Sequence, residues 1–150
     1  MENKQLVQLN LSAPNLVNIC VDETRDGELC GKFYHCYNEQ AESFSSVVEL
    51  IRKIDDLFDA ISFPQASTKS RSFSKKTEPK TTSQKQKLLD HREIVQHTGS
   101  LGTFILFVKF RQNSTWQGEI HWIEGDAKKY FSNTLDLIKL MDRSINQSAN

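Results

Sequence analysis

The densest set of groups able to recognise a ligand is Arg111-Gln112-Asn113-Ser114-Thr115-Trp116-Gln117-Gly118. Arg, Gln and Asn offer planar hydrogen-bonding groups and Trp a stacking surface. That combination suits a base, a nucleotide or the edge of a peptide. Arg111, Gln112, Asn113, Thr115, Trp116 and Gly118 are therefore the candidate binding residues. Trp116 would be the anchor, with Arg111, Gln112 and Asn113 giving polar specificity. A polar hairpin with one aromatic packed on a sheet would read the same way.

Other residue sets suggest other chemistry. Asp55 and Asp142 recur on two helical segments, and paired carboxylates can hold a cation or work as acid and base. Arg52 and Lys139, three residues earlier, could equally pair with them. Cys30, His35 and Cys36 are close in sequence, but positions 30 and 36 of one strand share a face and His35 takes the other. Cys20, His91, His97 and His121 add no ligand spacing, so neither a metal nor a cofactor is expected. A Cys-His nucleophile lacks an orienting acid. Arg71, Lys75 and Lys76 belong to a basic stretch that could contact phosphates, with Phe73 its one aromatic.

The net charge of zero conceals an asymmetry. Residues 1–62 carry a net −6, residues 63–87 a net +6, and residues 88–150 balance. Three cysteines without framework spacing point to reduced thiols. The first ten residues have neither a basic start nor an apolar core, so no secretory signal is expected. No apolar run approaches the roughly 20 residues of a membrane span. The expected location is the cytoplasm.

The elements that would position these residues come from an internal repeat. Shifted by 87 positions, residues 16–58 align without gaps on 103–145, with 7 of 43 identical. Gly31 falls on Gly118, Phe44 on Phe131, Ser45 on Ser132, Leu50-Ile51 on Leu137-Ile138, and Asp55 on Asp142. Each copy reads as strand, turn, strand, helix. Alternation places strands at 16–21 and 29–37, then at 103–110 and 116–124. Asp26-Gly27 is a hairpin dipeptide, residues 111–115 are the second turn, and Gly125-Asp126 closes the last strand. Ser46 with Glu49, and Asn133 with Asp136, start helices as capping boxes. Apolar residues then follow helical spacing from Val47 to Ile61 and from Leu137 to Ile145.

The expected fold is α+β. Duplicated ββα units form a four-stranded antiparallel sheet with two helices packed on one face. Residues 1–62 are the first repeat, 63–87 a basic, largely disordered linker, and 88–150 the second repeat, combined in one domain. A short helix is expected within residues 88–96, and an added edge strand at 6–11.

Two resemblances accompany this reading. Asn113-x-Thr115-x-x-Gly118 resembles half of the cyclic-dinucleotide signature of PilZ domains, which are β-barrels with an upstream arginine pair. Arg71 and Lys75 are the nearest counterparts of that pair. Most of the chain, through Phe63-Pro64-Gln65-Ala66-Ser67, Arg71-Ser72-Phe73 and Phe110-Arg111-Gln112-Asn113 with Trp116-Gln117-Gly118, resembles a family of short bacterial proteins to which no activity is assigned. That resemblance implies a bacterial cytoplasmic protein, with residues 63–73 docked on the fold.

The function expected is non-catalytic: a regulatory or adaptor module that contacts a protein partner or a second copy of itself. The alternative is a nucleic-acid or nucleotide binder, cyclic dinucleotides among the candidate ligands, using the 111–118 hairpin and the basic linker. No membrane contact is expected.

Overall fold

The computed structural model describes residues 14–64 and 88–148. The linker expected at 75–87, the strand expected at 6–11 and the phosphate-contact candidates Arg71, Lys75 and Lys76 lie outside the described residues.

Alternating apolar residues build β1 (Val17–Arg25) and β2 (Glu28–Tyr34). They turn at Asp26 and Gly27, both at positive φ, as a two-residue hairpin requires. β3 (Glu42–Phe44) follows, then α1 (Val47–Ile61). A four-residue helix, α2 (His91–Ile94), precedes β4 (Gly102–Phe110). β5 (Gln117–Trp122), β6 (Ala127–Phe131) and α3 (Thr134–Ser148) complete the second copy.

The sheet corrects the four-stranded expectation. It has six antiparallel strands in the order β3-β2-β1-β4-β5-β6, so each repeat is βββα. The missed strands are β3, three residues long, and β6, where Lys128 and Lys129 interrupt any apolar alternation. Gly125-Asp126 turns the chain into β6 rather than ending the sheet, with Asp126 N–H bonded to Ile123 O at 3.1 Å.

Symmetry organises the whole. β1 pairs with β4 in the centre, and Asn18 faces Ile105, its counterpart under the 87-residue shift. A pseudo-two-fold axis therefore passes through that pair. Both repeats bulge at the same place, between Val21 and Glu23 and between Val108 and Phe110. Opposite each bulge lies a glycine without room for a side chain. A Cβ on Gly31 would lie 2.0 Å from Cys20 O, and one on Gly118 would lie 2.2 Å from Phe107 O. On the far side Gly31 pairs with Phe44 and Gly118 with Phe131.

The helices start as expected. Ser46 Oγ accepts Glu49 N–H at 3.1 Å, and Asn133 Oδ1 accepts Asp136 N–H at 2.8 Å. These bonds satisfy amides that have no partner within the first helical turn. Leu50, Ile54, Leu57, Phe58 and Ile61 of α1 join Leu137, Met141 and Ile145 of α3 in one core. That core also takes Val17, Ile19, Val21, Phe33, Phe104, Leu106 and Val108 from one face of the sheet. Burying this face is the main stabilising term of such a fold.

Candidate functional site

The 111–118 hairpin is tied to α1. Gln112–Thr115 closes with Thr115 N–H on Gln112 O at 3.1 Å, and Asn113 and Ser114 both sit at positive φ. Asparagine tolerates that conformation better than most residues. Gln117 braces the turn: its Oε1 accepts Gln112 N–H and its Nε2 donates to Gln112 O, both at 3.1 Å. Gln112 and Asn113 thus shape the hairpin.

Arg111 points inward. It is only 6% exposed, and Nε donates to Pro64 O at 2.7 Å. Nη1 donates to Asp55 Oδ1 at 3.0 Å and to Asp59 Oδ1 at 2.9 Å, and the guanidinium lies 5.6 Å from the centre of the Phe58 ring. A planar cation suits such a site, because it forms several directed bonds and still packs on an aromatic face.

Trp116 is 3% exposed and packs in the core, with little of its ring open to solvent. Its ring packs against Phe58, and its Nε1–H donates to Asp55 Oδ1 at 3.1 Å. Thr115 joins the hairpin to α3. Its Oγ1 accepts Thr134 N–H at 2.7 Å, and Thr134 Oγ1 accepts Trp116 N–H at 3.1 Å. Gly118 lies inside the sheet, and its role is packing.

These contacts border a groove of about 600 Å3 between α1 and α3. Trp116, Thr115 and Arg111 come from the hairpin. Val48, Ile51, Arg52, Asp55 and Asp59 come from α1, and Thr134 and Ile138 from α3. Val48 is 65% exposed, and its repeat counterpart Leu135 is 59% exposed. Sequence reasoning passed over Val48, Ile51, Asp59, Thr134 and Ile138 as site residues. One signal was present: Val48 and Leu135 are apolar, equivalent, and outside the buried stripe of each helix.

No protein-family model, curated protein or solved structure matches the chain.

The two aspartates do not act alike. Asp55 serves Arg111 and Trp116, whereas Asp142 takes a 3.5 Å contact from Asn146 Nδ2, its neighbour on α3. The cysteines are free and buried. Burial pushes the Cys20 thiol up to about 12, with Asp22 and Glu124 adding to the effect. A thiol so protonated is a poor nucleophile. His35 accepts Tyr37 N–H on Nδ1 at 3.1 Å and holds Glu42 Oε2 at 3.2 Å from Nε2, two contacts that orient its ring. Among the described residues no group of His, Cys, Asp and Glu is placed to hold a metal ion. Among them also no helix is long and apolar enough to cross a membrane.

Proposed function

We propose that the protein is a non-catalytic binding module, and that the groove between α1 and α3 takes an apolar segment of a protein partner. The observation that carries this reading is the exposure of Val48, an aliphatic side chain lining a groove floored by Ile51, Ile138 and Trp116, while its repeat counterpart Leu135 is exposed on α3. An exposed aliphatic side chain on an apolar concave surface suits helix-in-groove or extended-segment recognition. Charge defines the partner further. Asp55 and Asp59 share the single cation of Arg111, which leaves excess negative charge at the hairpin end. A lysine or arginine of the bound segment complements it. Arg52, one turn nearer the start of α1, accommodates an acidic residue at the other end.

Arg111 serves this reading as a fixed wall. Its cation is already committed, so it is not the phosphate contact of a nucleotide-binding hairpin, and the groove favours the protein partner over the nucleic-acid alternative.

The test is selection of 16-residue peptides from a random display library on the full chain, with the same pool screened against V48E/L135E. Both substitutions are on exposed positions and should leave Tm unchanged. Enrichment of apolar peptides with a basic flank, bound at least tenfold more weakly by the variant, supports the reading. No enrichment, or equal binding by the variant, overturns it. Affinity that falls steeply with salt for RNA or DNA oligomers would favour the alternative.

A further inference from the structure

The sheet face turned away from α1 and α3 has a cover in the first repeat. Residues 88–101 lie across β1 and β2. Ile94 is fully buried there, and the carbonyls of Ile94 and His97 accept Asn18 Nδ2 at 2.8 and 2.9 Å. The His97 ring stacks on Tyr34 at 3.8 Å between centres. The segment leaves the face at Leu101, whose N–H donates to Val21 O at 2.8 Å.

In the second repeat the same positions are Ile105 for Asn18, Phe107 for Cys20 and His121 for Tyr34. Among the described residues no element follows the corresponding path over β4 and β5. Ile105 and His121 are nevertheless buried, at 2% and 5% exposed. Neither ring nitrogen of His121 has a hydrogen bond among the described residues, and its nearest charged neighbour among them is Asp126, with Oδ1 3.5 Å from Nε2.

The start of the first repeat indicates the cover. The counterpart of Leu101 is Pro14, which has no N–H to donate. The next side chain supplies the missing bond: Asn15 Nδ2 donates to Val108 O at 2.8 Å, and Val108 is the counterpart of Val21. The chain therefore meets the second repeat where residue 101 meets the first. Upstream, residues 4–9 read Lys-Gln-Leu-Val-Gln-Leu, and residues 92–97 read Arg-Glu-Ile-Val-Gln-His. Val7 and Gln8 match Val95 and Gln96, and Lys4 and Leu6 resemble Arg92 and Ile94. The shift here is 88 positions, one more than in the repeats themselves.

We propose that the face of β4 and β5 bearing Ile105, Phe107 and His121 is the docking surface for the chain's own residues 4–9, as the face of β1 and β2 is for residues 92–97. Leu6 takes the place of Ile94, and Leu9 lies over His121 as His97 lies over Tyr34. An aliphatic side chain there would cover the face of a buried imidazole whose acidic neighbour, Asp126, lies at the ring edge. The groove between α1 and α3 is on the opposite face, so the two proposals stand or fall separately.

The test is nuclear Overhauser spectroscopy on the full chain. Contacts from the Leu6 and Val7 methyls to the Ile105 methyl and the His121 ring are expected within one molecule. L6D/V7D should remove them and lower Tm by roughly 5 °C, while E2Q should change neither. No such contacts in the unaltered chain would overturn the proposal. So would contacts seen only between differently labelled molecules in a mixed sample, which would give the face to a second copy.

Discussion

The two hairpin ends of this molecule share a backbone and differ in their side chains. Both follow a bulge, both pair a side-chain-free glycine with phenylalanine, and both lead to a helix capped by the same device. Glu28 Oε1 even accepts Val47 N–H at 3.4 Å, where its counterpart Thr115 accepts Thr134 N–H at 2.7 Å. Beyond that the ends diverge. The second repeat carries Arg111 and Trp116 where the first has Thr24 and Leu29. Among the described residues only the second joins its hairpin to the other repeat's helix through a guanidinium and an indole on one carboxylate. Positions that set the path of the chain agree between copies, and the copies differ where that duty is absent.

The comparison can be broken most severely at its apolar centres. Trp116→Ala should cost about 4 kcal/mol and Leu29→Ala about 3 kcal/mol, read by urea denaturation. The larger loss reflects ring volume and the lost indole bond to Asp55, which keeps its Arg111 partner. Arg111→Thr, which copies Thr24, should cost about 2 kcal/mol, because Pro64 O loses its donor while the half-exposed carboxylates regain water. Asp142→Ala in the other half should stay within about 0.5 kcal/mol. The shared features should give matching effects. Ser46→Ala and Asn133→Ala should each cost about 1 kcal/mol and add in the double variant. The smallest effect is acid sensitivity at α1. The Ser45 backbone N–H, then Lys53 and the Ser45 hydroxyl, hold the Glu49 carboxyl at about 2. A depressed pKa gives stability that is present above the usual carboxylate range and lost as pH falls toward 2. Glu49→Gln should therefore flatten the Tm profile between those limits.

The helices were legible in the sequence, because cap and stripe are local and both recur after 87 residues. The first hairpin was legible from Asp26-Gly27. β3 and β6 were not, since three residues in one case and a run of lysines in the other leave no alternation to see. Phe44 and Phe131 were recognised as a matched pair, but their job across from Gly31 and Gly118 appears only once the strands are aligned. The candidate hairpin was legible as a polar turn around one aromatic, but not which way Arg111 and Trp116 face. Polar neighbours left open whether Trp116 anchors a partner or packs on the sheet, and its partner Asp55, 61 positions away, is half-buried on α1. No local pattern announces a bond of that span. Nor does one announce the groove, which depends on how two helices from different repeats lie side by side.

The pairing of β1 with β4 also has a consequence in time. The two strands at the centre of the sheet come from opposite halves of the chain, so β1 is synthesised long before the strand that covers its edge. Until β4 emerges, the first repeat presents Val17, Asn18 and Ile19 with unpaired backbone on one side. Assembly must then wait on a long-range closure, the slow step in folds built from distant strand pairs.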